Sequence, residues 1–202
     1  MISSGLLVRM IAAPGREAEA EELLVAVLRI AERETQTEAS FLLRFGVGVF
    51  ATLDLFLDDM ARREHLAGAA AQAIHYRSRD LFAPPPTQTL VDVVAHDLPA
   101  PHLLGGLTDG AMLSFGAGWA DDLADLTTSG NDDDPPSGWV ALGAEDGAIT
   151  VVELAAGDPA AAHRPSPWTL HAPRLLARED FTLVGGSTIT LPADDRTAFT
   201  NR

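Results

Sequence analysis

The sequence predicts an α+β protein whose N-terminal half is a ferredoxin-like domain with the element order βαββαβ. Three observations predict it: short runs of β-favouring apolar residues, two segments with apolar residues at helical spacing, and a proline-rich stop before the last strand of this half. The order of strand, helix, two strands, helix and strand is that of ferredoxin-like domains. Two helices cover one face of such a sheet, so its other apolar face needs a cover.

The elements of this half follow from local signals. Acidic residues in the first turn of the first helix complement the helix dipole. The second helix has an aspartate as its N-cap, and Pro84 ends it because proline lacks the amide donor. We expect strands over residues 6–11, 41–45, 49–56 and 88–96, a first helix over residues 17–31, and a second from Asp58 or Asp59 to about Leu81.

The composition changes near residue 97. The net charge is −5 over residues 1–97 and −10 over residues 98–202, and a proline-containing segment lies at the change. We therefore place a ferredoxin-like domain at residues 1–97, a linker at 98–109 and a second domain at 110–202.

The second half is α+β or β-rich. Its predicted order of strand, helix, hairpin and strand echoes the first half, which favours a degenerate ferredoxin-like repeat, while prolines in place of a second helix favour an unrelated β-rich domain. Both interpretations stay open. We expect strands over residues 111–115, 138–142, 148–154 and 181–191 and a short helix over residues 119–126.

Composition excludes several classes of function. The 202-residue chain has a net charge of −15, its 14 basic residues are all arginine, and it has no cysteine. Nucleic-acid binding needs clustered positive charge, so we expect no nucleic-acid partner. Schiff-base chemistry, thiolate nucleophiles and disulfides are excluded without lysine and cysteine. No apolar run is long enough for a membrane span and the first residues do not form a signal peptide, so we expect a cytoplasmic protein without a membrane partner.

One stretch of the first half carries a recognisable pattern. A strand ending in phenylalanine (residues 50–56) and an acidic helix start precede Arg62, His65, Leu66 and Gly68, which fit R-x-x-H-L-x-G. Over residues 1–97 the chain thereby resembles the antibiotic biosynthesis monooxygenase family. The resemblance implies a dimeric α/β barrel, in which two ferredoxin-like sheets pack face to face. It also implies cofactor-independent oxygenation of a small electron-rich aromatic, such as a quinol or a polyketide anthrone.

Three residues of the second predicted helix are the candidate catalytic groups. On a continuous helix, Arg62, His65 and Tyr76 lie along one stripe that could line a cleft between helix and sheet. A histidine can take a proton from a phenolic substrate near neutral pH. Arg62 would then stabilise the phenolate, and Tyr76 would hydrogen-bond to the ring or stack on it. The alternative is that His65 is structural and bonded to a backbone carbonyl.

No cofactor is expected. His75 stands at the position of the haem ligand in the haem-degrading branch of the family that the chain resembles, but residues 1–97 hold no asparagine and no tryptophan to assist it, so haem is disfavoured. No metal-binding motif occurs in the sequence.

The expected partners are a small aromatic molecule and either a second copy of the chain or its own second half, which would make an intrachain pseudo-dimer. A competing function is a non-enzymatic barrel that binds an apolar ligand or serves as an assembly module.

Overall fold

The computed structural model describes residues 1–98, 101, 104, 107–115, 137–145, 147–156 and 175–188. Within these ranges the chain is an α+β protein with eight strands and three helices. The strands are β1 (Ser4–Ile11), β2 (Ala39–Gly46), β3 (Val49–Phe56), β4 (Thr87–Asp97), β5 (Leu107–Phe115), β6 (Ser137–Gly143), β7 (Ile149–Ala156) and β8 (Leu175–Thr188). The helices are α1 (Glu17–Ala31), α2 (Asp59–Ala67) and α3 (Ala69–Leu81).

The eight strands close into one antiparallel barrel in the order β1-β3-β2-β8-β5-β7-β6-β4. The first four strands stand side by side in the order β4-β1-β3-β2, and the last four stand in the corresponding order β8-β5-β7-β6. Two seams join the groups, because β2 pairs with β8 and β4 pairs with β6. The second half of the chain therefore covers the apolar sheet face that the first half cannot cover by itself.

The barrel interior is a single apolar core. Alternate side chains of each strand point inward, and Leu7, Phe41 and Leu53 of the first half belong to one buried cluster with Met112 and Val152 of the second. Burial of apolar surface contributes about 25 cal/mol per Å². The two halves are thus stabilised together by this shared core.

The helices lie on the outer face of the first four strands. Leu24 and Leu28 of α1 and Leu81 of α3 join a second buried cluster with Val8 of β1 and Phe50 of β3. The apolar residues of α1 recur at helical spacing, so one side of the helix packs on the sheet and the other faces water. This helix-covered face is where a cavity forms.

The prediction of one continuous second helix was wrong. The segment from Asp58 to Leu81 forms two helices, because the backbone is extended at Gly68, with φ −80° and ψ 179°. A Cβ atom at Gly68 would lie 2.9 Å from Glu34 Oε1 and 3.0 Å from the carbonyl oxygen of His65, so glycine leaves room for the Glu34 carboxyl group beside the break. Residues of α2 and α3 therefore do not lie on one continuous helical face.

The strands expected in the second half are present with shifted ends. β8 begins at Leu175 instead of Phe181, and β5 begins at Leu107, inside the segment 98–109 that the sequence assigns to a linker. The short helix expected over residues 119–126 lies outside the described residues. Among the helices that the structure describes, none has the length and apolar character needed to cross a membrane.

Candidate active site

A cavity of about 270 Å³ lies between the outer sheet face and the three helices. Its floor comes from β1, β2, β3 and β4, and its walls come from all three helices and the proline segment that follows α3. Most of its lining is apolar, including Leu6, Val8, Leu28, Leu66 and Ile74. The volume is close to the lower end of the roughly 300–1,000 Å³ of typical ligand sites, so the cavity suits a small apolar molecule.

Three polar side chains interrupt the apolar floor. Ser40 of β2 and Asp54 of β3 are directly opposite each other in the strand register, and Thr52 lies two residues before Asp54. Because strand side chains alternate between faces, Thr52 and Asp54 share the helix-covered face with Phe50 and Phe56. All three polar groups line the cavity and are at most 5% exposed.

The short helix α2 places His65 at the cavity wall. Asp58 caps its N-terminus by accepting a backbone hydrogen bond at 2.9 Å from the first turn. One turn before His65, the Arg62 guanidinium donates to the carbonyl oxygens of Gly5 and Val91, each at 3.1 Å. These bonds fix α2 against β1 and β4, so His65 has a defined position over the sheet.

Both ring nitrogens of His65 have carboxyl neighbours. The residue is 3% exposed. Its Nδ1 lies 2.6 Å from Glu34 Oε2 and 3.4 Å from Thr37 Oγ1, whereas its Nε2 lies 3.8 Å from Asp54 Oδ2. The ring also packs at a tilt against Phe56, with 5.1 Å between centroids. Glu34 thus holds the imidazole at Nδ1, whereas Nε2 lies toward Asp54 beyond hydrogen-bond distance.

Glu34 sets the tautomer of this imidazole. Its Oε1 accepts a hydrogen bond from the Ala70 amide at 3.2 Å, at the start of α3, and its Oε2 faces His65 Nδ1. A carboxylate oxygen can only accept, so Nδ1 of His65 carries the proton and Nε2 keeps its lone pair in the neutral ring. That lone pair is on the side of Asp54 and the cavity.

Asp54 is a buried carboxyl group in the cavity floor. Ser40 Oγ donates to its Oδ1 at 2.5 Å. Burial raises the pKa of the Asp54 carboxyl, against the opposing effects of nearby His65 and of the hydroxyl groups of Ser40 and Thr52. Beside it, Thr52 Oγ1 is buried and has no hydrogen-bond partner in the part of the chain that the structure describes. Both groups are available to a ligand oxygen.

The structure does not bring the three predicted catalytic residues together. His65 lines the cavity. Arg62 is buried, but it is bonded to backbone carbonyls and to Asp59 and does not line the cavity. Tyr76 is 85% exposed on α3, and the break at Gly68 separates its helix from that of His65. The catalytic roles of Arg62 and Tyr76 stay predictions.

The mouth of the cavity carries polar side chains of α3 and β4. His75, Ser78 and Arg79 come from α3 and Gln88 from β4, together with the adjoining prolines. Arg79 forms no ion pair with any residue that the structure describes. Within the same described ranges, no group of three or more histidine and acidic side chains could hold a metal ion.

Four residues of the site were not predicted from the sequence: Glu34, Ser40, Thr52 and Asp54. A signal for Thr52 and Asp54 was present, since they recur with period two on one face of an otherwise apolar strand. Polar residues on a helix-covered sheet face indicate either a pocket or a buried hydrogen-bond network. Glu34 gave no such signal, because it follows α1 and reaches His65 only through the tertiary fold.

Comparison with known proteins gives structural likeness and no family assignment. No family model matches the chain, and no curated protein matches it. A candidate monooxygenase from Lactobacillus acidophilus NCFM superposes with a TM-score of 0.71 at 12% identity, covering 93% of this chain and 97% of its own. An anthrone oxidase-like protein superposes with a TM-score of 0.59 at 10% identity, covering 98% and 97%. NE2512 from Nitrosomonas europaea, a protein of unknown function, is 37% identical over 50% of this chain and 97% of its own, with a TM-score of 0.48. The chain therefore has the fold of monooxygenase-like barrels.

Proposed function

We propose that the protein is a cofactor-independent monooxygenase acting on a small electron-rich aromatic, such as a quinol or a polyketide-like anthrone. One observation carries the proposal: His65 is buried in the wall of an apolar cavity, with Nδ1 held by Glu34 and Nε2 free to accept a proton. The likeness in fold to a candidate monooxygenase and an anthrone oxidase-like protein supports it. So does the sequence resemblance to antibiotic biosynthesis monooxygenases over residues 1–97.

The chemistry starts with proton transfer to His65. An anthrone has a CH₂ group beside its rings, and loss of a proton leaves an electron-rich anion. This anion can transfer electrons to O₂ directly, so no redox cofactor is needed. One oxygen atom ends in the new carbonyl group and the other in water, which balances CH₂ and O₂ against C=O and H₂O. The buried site excludes water that would compete for the anion.

The anion needs a cation or a hydrogen-bond donor nearby. The guanidinium of Arg62 would have to leave the carbonyl oxygens of Gly5 and Val91 to reach it. We therefore assign charge stabilisation to Arg79 at the mouth of the cavity and to the protonated His65 ring. An arginine at the opening can contact substituents of an aromatic ligand without being buried.

The barrel architecture belongs to the same proposal. We propose that strands β5–β8 are a degenerate copy of strands β1–β4 of the ferredoxin-like first half, so that the chain forms by itself the barrel that two copies form in the family it resembles. The matching strand orders β4-β1-β3-β2 and β8-β5-β7-β6 support this. A second copy of the chain would then not be needed to complete the site, which lies entirely among residues of the first half.

Oxygen uptake with dithranol as the anthrone probe tests the function. The wild-type protein, treated with a chelator, should consume oxygen faster than dithranol oxidises by itself. His65→Ala should lower kcat/KM by about 10²-fold or more, since a positioned base contributes roughly 10²–10⁴. His96→Asn, on β4 and outside the cavity lining, is the matched control and should keep wild-type turnover. Equal turnover of the His65→Ala variant and the wild type would refute the assignment.

The competing function is non-enzymatic binding of an apolar ligand, which the mostly apolar lining of the cavity favours. Fluorescence titration with 1-naphthol separates the two. Binding of 1-naphthol by the wild type, with oxygen uptake at the non-enzymatic rate for dithranol, would favour the binding protein.

A further inference from the structure

Asp54 is the one acidic group in the cavity floor of the described structure, and its two oxygens have different surroundings. Oδ1 accepts the hydrogen bond from Ser40, whereas Oδ2 faces Nε2 of His65 at 3.8 Å. The side chain is 7% exposed, so bulk water does not solvate it. The arrangement leaves Oδ2 directed at the same space as the lone pair of His65.

The surroundings of Asp54 favour its neutral, protonated form. A buried carboxylate is strongly disfavoured unless ion pairs or several hydrogen bonds compensate it. Among the described residues, no arginine pairs with Asp54, and the hydrogen bond that its Oδ1 accepts comes from Ser40. Burial raises the pKa of the carboxyl for this reason. A neutral carboxyl group is a proton donor, which a carboxylate is not.

The distance between Asp54 and His65 suits a bridging ligand atom. At 3.8 Å, Nε2 and Oδ2 are too far apart for a good direct hydrogen bond, which needs about 2.7–3.2 Å. An oxygen atom of a ligand placed beside both can reach each of them at hydrogen-bond distance. Thr52 Oγ1, buried and without a partner in the described part of the chain, is a further donor on the same floor.

We propose that Asp54 is a catalytic residue, the proton donor to the oxygen adduct of the substrate, working opposite His65. The proposal rests on the proposed function. His65 Nε2 first takes a proton from the reactive CH₂ carbon. The carbanion forms a C–O bond with O₂, and the terminal peroxide oxygen takes the proton of Asp54 Oδ2 to give a hydroperoxide.

The later steps of the catalytic cycle return Asp54 and His65 to their starting protonation states. Asp54, now a carboxylate, takes the remaining proton from the same carbon while the O–O bond breaks and the C=O bond forms. The departing hydroxide takes the proton that His65 holds and leaves as water. The carbon is oxidised, both oxygen atoms are accounted for, and Asp54 and His65 return to their starting states. Each residue therefore serves once as acid and once as base.

The activity test compares Asp54→Asn with Asp92→Asn, an exposed aspartate of β4 outside the cavity lining. An amide keeps the shape and the hydrogen bond but cannot release a proton. Asp54→Asn should lower kcat for dithranol by about 10²-fold with little change in KM, and should remove the alkaline limb of the kcat–pH profile. Asp92→Asn should match the wild type. Wild-type kcat and an unchanged pH profile in Asp54→Asn would overturn the proposal.

A spectroscopic test does not depend on turnover. In protein labelled with ¹³C at aspartate carboxyl carbons, the Asp54 signal, assigned by its loss in Asp54→Asn, should show a protonated carboxyl at neutral pH. A signal of an ionised carboxylate at neutral pH would overturn the proposal. A protonated Asp54 in a protein that does not accelerate oxygen uptake would instead refute the monooxygenase function while supporting the proton-holding role of Asp54.

Discussion

At the scale of single residues, the site is a histidine between two carboxyl groups that differ in their contacts. Glu34 is bonded to the His65 ring and to the start of α3, whereas Asp54 is bonded to Ser40 and separated from the ring by 3.8 Å. The first contact orients the imidazole and the second leaves room for a ligand. From this difference in geometry, Glu34 orients the imidazole and Asp54 contacts the ligand.

The buried Asp54 also makes the stability of the fold depend on pH. Its folded-state pKa is raised above the ordinary value of 3.8, mainly by burial. At pH values between the pKa of Asp54 in the unfolded state and its higher pKa in the folded state, the folded state holds a proton that the unfolded state has released. This group therefore makes the free energy of unfolding fall as pH rises through that range. Asp54→Asn should therefore become more stable relative to the wild type as pH rises.

Urea denaturation at a series of pH values measures this difference. Glu38, whose pKa burial also raises, contributes equally to both proteins and cancels in the comparison. A stability difference that is constant with pH would show that Asp54 has the same proton affinity in the folded and unfolded states.

The residues of the site were predictable to different degrees. His65 was found because it belongs to a short motif with a definite spacing. Asp54 was readable in principle from period two on β3, but an aspartate in a strand is equally compatible with an exposed face until the covering helices are known. Glu34 lies 31 residues before its partner His65, so no local pattern reveals their contact.

At the scale of elements, α2 is a short helix that is capped at its N-terminus by Asp58 and anchored to the sheet by the buried Arg62. Nine residues are too few for a stable isolated helix, so tertiary contacts must hold it. Arg62 supplies them through the carbonyl oxygens of Gly5 and Val91. Arg62, for which the sequence predicts a catalytic role, thus anchors α2 to the sheet in the structure.

Substitution of Arg62 tests this position. Arg62→Ala removes two buried hydrogen bonds from the guanidinium to the carbonyl oxygens of Gly5 and Val91 and should lower the free energy of unfolding by about 2–4 kcal/mol. The neighbouring Arg63 is 78% exposed and pairs with Asp59, so Arg63→Ala should change it by at most about 0.5 kcal/mol. Chemical denaturation of both variants gives the comparison. Equal effects of the two substitutions would contradict the architectural role.

Sequence patterns located nearly every element of the first half, since periodicity and proline stops are local signals. The break between α2 and α3 was missed because Gly68 inside a helical pattern is compatible with a continuous helix. At the break, Glu34 Oε1 accepts a hydrogen bond from the Ala70 amide at the start of α3, a tertiary contact that no local pattern reveals. That break also separates the helix of Tyr76 from the helix of His65.

At the scale of the whole molecule, one chain closes the barrel. The seams β2–β8 and β4–β6 pair the two outer strands of each half, and Arg9 of β1 forms an ion pair with Glu179 of β8 near one end. No unpaired strand edge is left among the described strands, since every strand has two neighbours. Strand order of this kind could not be read from the sequence, which left a repeat and an unrelated domain open.

A closed barrel predicts the mass in solution. Because no edge strand among those described needs a partner, the protein should sediment as a monomer of 21.4 kDa. Analytical ultracentrifugation over a range of concentrations measures this. A concentration-independent dimer would contradict this prediction and would show that two copies associate through a surface other than a strand edge.

The most direct test of the central claim is the fate of oxygen atoms. Dithranol is incubated with the wild type or with His65→Ala under oxygen-18 gas, and the product is analysed by mass spectrometry. We expect a quinone that carries one oxygen-18 atom, formed by the wild type well above the rate of non-enzymatic oxidation and by His65→Ala near that rate. Equal labelled product from both proteins and from the enzyme-free control would contradict it.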